Sequence, residues 1–321
     1  RMNPHDVALT LDVQYDIDRL GIPLVEIATA PVIHSPEEAQ KVALSIGKVL
    51  RATKMVKRGL GTIRQDLNIS MKDGALVEIK GVQKLELMAK VVECEVQRQL
   101  KLLRIVEELR ARGVTENDLK DEFHDVTDIL QSSACHIAQE AILKGGVVKA
   151  LLLKGFGGLL KTELQPNVRL GTEFAHRAMY WGRVNGIIHT DELPGYGIEE
   201  DDLDKLGEKL NAGDKDAFVL VADTEDGVDE ALVAVSIRAK EALRGAPEET
   251  RGPNPDGTTR YMRPRPGAAR MYPETDVPPT PVTPEMRDRI REKLPPMPDV
   301  IAKHLMDHYR LNSKLAQQLI N

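Results

Sequence analysis

The chain has 321 residues, 41% hydrophobic and 29% charged, with a formal net charge of -6. That length exceeds one ordinary hydrophobic core, so two or three domains are expected, in a chain of globular composition. The acidic balance argues against a protein that coats nucleic acid along its whole surface, though local basic patches stay compatible with RNA contact. Aromatic residues make up only 3%, so such contact does not rest on rows of stacked rings. Two cysteines, Cys94 and Cys135, fall in helix-like stretches without a CxxC pair. Buried thiols in a reducing cytoplasm are expected rather than a disulfide or a structural zinc. No apolar run is long enough to span a membrane and no cleavable leader is visible. The start at Arg1 and the ending inside a helix, at Ala316 to Asn321, lead us to expect a piece of a longer chain.

In chain order, Ile22 to Thr29 reads as a short apolar strand interrupted by Glu26. A helix then starts at Ser35, a good N-cap, with Pro36 in the first turn and Glu38 placed for a capping box, and runs to about Thr53. It leads into Lys48, Arg51, Lys54, Lys57 and Arg58 without an acid, which suits either a solvated helix end or a phosphate contact. From Ile63 to Met71, Ile63, Leu67, Ile69 and Met71 share one strand face while Arg64, Asp66, Asn68 and Ser70 share the other. Past Lys72-Asp73-Gly74, Val77 and Ile79 oppose Glu78 and Lys80 in the same way. A two-residue Asp-Gly turn would mix the faces. A three-residue loop with Gly74 left-handed pairs Asn68 with Glu78 and Asp66 with Lys80, and is the register expected.

A long helix follows from Lys84 to Arg112, ended by Gly113, with Leu85, Met88, Val92, Leu103 and Val106 as its core stripe. Beyond Asp121 the texture alternates: strand Val147 to Leu153, helix Glu173 to Arg183, strand Gly186 to Thr190, helix Glu199 to Asn211, strand Ala217 to Ala222, helix Val228 to Leu243. That succession predicts a compact α+β or α/β domain. Residues 199–216 carry eight acids against three lysines, a poor surface for RNA phosphates. Gly245 to Gly257 reads as a linker. Between 251 and 272 stand five arginines and one acid, and helices resume near Pro284 to Lys293, Asp299 to Tyr309 and from Ser313.

Two features carry chemistry. The hairpin's polar face gathers Arg64, Asp66, Asn68, Glu78 and Lys80, which fits either paired charges on a wet strand or a magnesium site of hard oxygen ligands with cations for phosphoryl oxygens. Glu26 in its apolar run is costly to bury unless paired or metal-bound, unless it faces solvent. The histidines are scattered, with His304 and His308 merely one helical turn apart. There is no phosphate loop of the Gly-Lys-Thr kind and no GxSxG elbow.

The segments Asp18-Arg19-Leu20-Gly21-Ile22-Pro23-Leu24-Val25-Glu26-Ile27, Gly61 to Ser70 and Glu78-Ile79-Lys80-Gly81-Val82-Gln83 resemble the catalytic cradle of the B and E subunits of glutamyl-tRNA(Gln) amidotransferases. Leu164-Gln165-Pro166-Asn167, Gly171 to Ala175 and Gly186 to Pro194 resemble the insertion domain of bacterial aspartyl-tRNA synthetases, which marks the archaeal E branch of that family. Tyr272-Pro273-Glu274-Thr275-Asp276 is similar to the point of return to the cradle. The resemblance implies a multidomain α+β protein, with a mixed or antiparallel β cradle at 1–121, the α+β insertion at 122–258, the return at 259–282 and the start of a helical domain at 283–321. It implies that ATP and magnesium (Mg2+) serve to phosphorylate the γ-carboxylate of Glu-tRNA(Gln). Ammonia from a partner amidohydrolase, the D subunit, then displaces phosphate, in a cytoplasmic heterotetramer of two D and two E subunits without a membrane component. By position it implies Glu26, Asp66 and Glu78 as catalytic acids, with Glu26 and Glu78 on the metal. Arg64, Asn68, Lys80 and Arg270 would serve nucleotide or acceptor phosphates. The upstream segment expected to supply a histidine and further acids does not match in residues 1–14. The competing reading is a noncatalytic tRNA-binding module related to the synthetase insertion.

Overall fold

The computed structural model describes residues 24–57, 59, 61–265 and 279–320. Arg270, Arg58, the segment from Asp18 to Pro23 and the motif from Tyr272 to Asp276 lie outside these residues. The chain divides into two compact units, 1–34 and 35–321. In the first, Leu24 to Thr29 forms no strand, and each of its residues is exposed. The strand expected there is not found, and with Glu26 in solvent the burial argument for a paired or metal-bound acid has no force.

The second unit opens with α1 (Pro36–Ala52), whose N-cap Ser35 accepts a hydrogen bond from the Glu38 amide. A short hairpin, β1 (Leu67–Ile69) and β2 (Val77–Ile79), follows, and then α2 (Leu85–Ala111). The α2 helix stops where Gly113 turns left-handed at φ +74° and the Val114 amide bonds the Leu109 carbonyl, the geometry glycine adopts without penalty. Ile69, Val77, Ile79 and Val82 pack with Ala43 of α1 and Met88 and Val91 of α2, one of three apolar cores.

The hairpin register is Leu67↔Ile79, Asn68↔Glu78 and Ile69↔Val77, as the alternation predicts. The strand is shorter than expected, since residues 63–66 precede the ladder, and the loop is not the three-residue type. Residues 70–76 lie outside the ladder, and the residue at positive φ is Asp73, at 62°, rather than Gly74. Gly74 is required for another reason: the Gln99 carboxamide of α2 occupies the space a Cβ there would fill.

A second, purely antiparallel sheet follows in the order β3 (Phe123–Asp125), β4 (Val147–Leu153), β8 (Ala217–Asp223), β7 (Ile188–His189). In β8 the side chains of Ala217, Val219 and Val221 enter one core and those of Phe218 and Leu220 the other. Both faces are covered, which is why β8 reads as an unbroken apolar run. One face carries α5 (Leu170–Gly182), α7 (Glu225–Ala242) and the second half of α2, through Phe174, Leu232, Leu102 and Leu109. The other carries α3 (Thr127–Leu130), α4 (His136–Leu143) and α6 (Glu200–Leu210). A small ribbon, β5 (Glu163–Gln165) with β6 (Val168–Arg169), precedes α5.

The Gly- and Pro-rich run read as a linker instead holds β9 (Glu249–Pro253), which pairs with β10 (Thr259–Pro264). β9 also runs parallel to β2, with Glu78↔Thr250 and Ile79↔Arg251, so the hairpin sheet is mixed, in the order β1-β2-β9-β10. Punctuating residues hid this strand because Gly252 and Pro253 end it. The described residues thus form an α+β architecture with one mixed and one antiparallel four-stranded sheet. Helices α8 (Pro284–Arg291), α9 (Pro298–Tyr309) and α10 (Ser313–Ile320) follow, near their expected positions. Lys48 of α1 pairs with Asp299 of α9 at 3.3 Å, so at least one cation of the early basic stretch has a protein partner. Both cysteines are buried and free.

Candidate functional site

The mixed sheet sorts its side chains by pleat. One cross-strand row, Leu67–Ile79–Arg251–Tyr261, faces inward, and the adjacent row runs Asn68–Glu78–Thr250–Arg263 across all four strands. The second row carries an amide, a carboxylate, a hydroxyl and a guanidinium. At its end Lys80 Nζ bridges Asp66 Oδ2 at 3.0 Å and Glu78 Oε1 at 2.8 Å. The Gly81 amide donates to Asp66 Oδ1 (2.8 Å), and the Thr250 hydroxyl donates to Glu78 Oε2 (2.9 Å). Side-chain exposures of 41% for Asp66, 20% for Glu78 and 25% for Lys80 set this cluster at a rim, reachable by a ligand yet partly shielded from solvent. Partial burial pulls the Lys80 ammonium down, and the hydrogen bonds it donates to Glu78 and Asp66 outweigh it, leaving its pKa raised. Lys80 therefore stays a cation.

Of the predicted site residues, Asp66, Glu78 and Lys80 come together, and Asn68 lies in the row directly beside Glu78. Arg64 is exposed and precedes the ladder. Glu26 belongs to the other unit, and Arg270 lies outside the described residues. The donor set suits magnesium in kind, being two carboxylates and an amide oxygen. In number it is short: among the described residues no group of three His, Cys, Asp or Glu side chains is placed to hold a metal. All four oxygens of Asp66 and Glu78 already have a partner, but a carboxylate offers about four lone-pair sites. The pair can thus accept a cation while keeping its protein contacts, provided another acid completes the set.

Beneath the sheet lies a feature that sequence reasoning missed. Arg98 of α2 is fully buried and donates to Glu95 (2.9 Å), to Glu249 of β9 (2.7 Å) and to both carboxylate oxygens of Glu173 of α5. Arg238 of α7 reaches Glu173 at 2.9 Å, and Arg177 of α5 reaches Glu249 at 2.7 Å. Arg251 joins Glu249, Glu173 and the Thr259 hydroxyl. Gln99 extends the network to the hairpin, accepting from the Ala75 amide while donating to Glu95, each at 3.0 Å. Burial alone would raise the Glu173 carboxyl, but Arg98, Arg251 and Arg238 hold it well below the usual carboxylate range. Glu249 is lowered in the same manner, with Arg98 and Arg251 outweighing burial. The network ties α2, α5, α7 and β9 into one piece and so fixes the strand that borders the Asp66–Lys80–Glu78 cluster. Arg251, one of the five arginines counted between 251 and 272, is one of its buried members. A signal was present: Glu95, Arg98 and Gln99 sit on the same helical stripe as Val91 and Leu102, where apolar residues belong.

A family-level match to the GatB/GatE catalytic domain covers residues 5–288. The chain is 53% identical over 310 residues to the E subunit of glutamyl-tRNA(Gln) amidotransferase from Pyrococcus abyssi (strain GE5 / Orsay), an alignment spanning 97% of this chain and 49% of the relative. It is 54% identical over 309 residues to the protein of the same name from Methanocaldococcus jannaschii, covering 96% and 49% of the two chains. With that from Methanococcus maripaludis (strain C5 / ATCC BAA-1333) the identity is 50% over 307 residues, covering 96% and 48%. The chain spans about half the length of the curated relatives it matches.

Proposed function

We infer the function from one premise: this chain belongs to the GatB/GatE catalytic-domain family. The full-length protein is a carbon–nitrogen ligase subunit that phosphorylates the γ-carboxylate of Glu-tRNA(Gln) with ATP and amidates it to Gln-tRNA(Gln). The observation that carries the reading is the Asp66–Lys80–Glu78 cluster at the rim of the mixed sheet. Phosphoryl transfer asks a protein for positioning and charge compensation more than for a reactive side chain. A fixed cation held between two carboxylates beside an amide and a hydroxyl meets that demand.

Glu78 would bind magnesium, which when bound neutralises phosphate charge, and Asp66 would orient Lys80 as the permanent cation of the site; Glu26 is separately proposed as a magnesium-binding acid on the family match. Asn68 would bind nucleotide through its amide, while Arg64 and Arg270 are the candidates for nucleotide or acceptor-end phosphates. Phosphorylation turns a poor leaving oxygen into a good one, and ammonia then displaces it. The relatives' designation as one subunit of an amidotransferase supports a source of ammonia on another chain. That chain is an amidohydrolase, the D subunit, in a cytoplasmic assembly of two D and two E subunits. Among the described residues no helix is long and apolar enough to cross a membrane. We assign 1–121 to the cradle, 122–258 to the insertion, 259–282 to the return and 283–321 to a helical domain.

The test uses the full-length protein with its amidohydrolase partner, or with ammonium salts supplied directly. ATP-dependent conversion of Glu-tRNA(Gln) to Gln-tRNA(Gln) is expected, with the Glu26→Gln variant inactive and its tRNA affinity retained. Salt-dependent tRNA binding without any ATP-dependent conversion would favour the noncatalytic module instead.

A further inference from the structure

Thr250 makes the contact that fixes Glu78. It is fully buried on β9, and its hydroxyl donates to Glu78 Oε2 at 2.9 Å. The other carboxylate oxygen lies 2.8 Å from Lys80 Nζ. Glu78 is thus held at both oxygens, by a neutral donor on one side and an ammonium on the other, so the plane of the carboxylate is set as well as its position. A free glutamate side chain samples many rotamers, and freezing them when a ligand arrives lowers affinity; here the ordering is already done in the folded protein.

The hydroxyl's own position is enforced from outside the site. Glu78 and Thr250 are direct partners in the parallel pairing of β2 with β9, so their side chains share a face. The residues flanking Thr250, Glu249 and Arg251, turn to the opposite face and enter the buried ionic network with Arg98, Glu173 and Arg177. The Lys80 amide donates to the Arg251 carbonyl at 2.9 Å, tying the two strands together just past the pair. A residue far along the chain, beyond the whole antiparallel sheet, is therefore carried back to the hairpin and locked there.

We propose that Thr250 is a positioning residue that holds the Glu78 carboxylate in its cation-binding orientation through the Thr250 Oγ1 to Glu78 Oε2 hydrogen bond. This rests on the reading of Glu78 as a metal-binding acid. Val matches Thr in shape and lacks the hydroxyl, whereas Ser keeps it. In the full-length protein, manganese used as a paramagnetic probe in the absence of tRNA should bind at least about tenfold more weakly to Thr250→Val, the cost of losing a hydrogen bond to a charged group. Thr250→Ser should restore binding. In turnover, Thr250→Val should raise the magnesium concentration for half-maximal rate and recover its kcat at high magnesium.

Glu78→Gln separates the role of Thr250 from that of Glu78. If Glu78→Gln loses manganese while Thr250→Val binds as the parent does, the role given to Thr250 is wrong and that of Glu78 stands. If Glu78→Gln leaves manganese binding unchanged, the reading of Glu78 fails and this proposal falls with it. If Thr250→Val and Thr250→Ser lose melting temperature and manganese affinity alike, the residue is merely structural and the proposal is overturned.

Discussion

Replacing Arg98 with methionine removes the central cation of the buried network while keeping a side chain of comparable length. The wild-type guanidinium meets three carboxylates, from Glu95, Glu173 and Glu249, with no solvent exposure. Breaking a buried ion pair by deleting one partner costs about 3–5 kcal/mol, because the other partner stays buried and unpaired. Here Glu173 keeps Arg238 and Arg251, and Glu249 keeps Arg177 and Arg251. The remaining cations soften the loss, so the lower end, about 3 kcal/mol, is expected. At roughly 2–4 °C per kcal/mol for a unit of this size, the melting temperature should fall by about 6–12 °C. Urea unfolding of the full-length protein, followed by circular dichroism, measures the change directly. The double variant Arg98→Met/Glu173→Gln should be less destabilised than the two single changes added together, since one orphaned charge is removed with its partner. A loss below about 1 kcal/mol for Arg98→Met, within the range of a surface pair, would refute the claim that the network binds α2, α5, α7 and β9 together.

Acid should find the same weak point. Glu173 and Glu249 titrate below the ordinary glutamate value of 4.5, so they contribute stability above that pH, and the contribution is lost as pH falls through their folded-state values. The urea midpoint should be flat near neutrality and drop below about pH 4.5; an unchanged midpoint at lower pH would contradict their lowered pKa values. Gly74→Ala should cost about 1–3 kcal/mol, as small-to-large changes in packed sites do, because the new methyl meets the Gln99 carboxamide. Adding Gln99→Ala should recover only part of the steric loss, since the Met71 side chain also lies where the methyl would go, and a double-mutant cycle in urea would detect that part.

How far the sequence reached can be read residue by residue. The pairing of Asn68 with Glu78 was legible because alternation leaves only one register with clean faces. The loop type was not, since Asp73 takes the left-handed position that a glycine was expected to fill, while Gly74 answers to Gln99 from another element. β8 was legible as an unbroken apolar run and β4 as one broken only by Lys149, each with apolar residues buried on both faces. β9 was not, because Gly252 and Pro253 punctuate it and one of its partners, β2, pairs with it in parallel from the far side of the intervening sheet. Glu95 and Arg98 sit on the buried stripe of a helix, where local reasoning expects leucine; only Glu173, Glu249 and Arg251, brought from other elements, make charges stable there. Glu26 was singled out by a burial that the folded chain does not impose, so its proposed role now rests on the family match alone.

The central claim is that Glu78, fixed between Lys80 and Thr250, serves phosphoryl transfer to tRNA-bound glutamate. The most direct measurement follows labelled γ-phosphate from ATP onto Glu-tRNA(Gln) by full-length Glu78→Gln protein, alongside a filter assay of tRNA binding. The account predicts transfer lost and tRNA binding kept; transfer at the parent rate would contradict it.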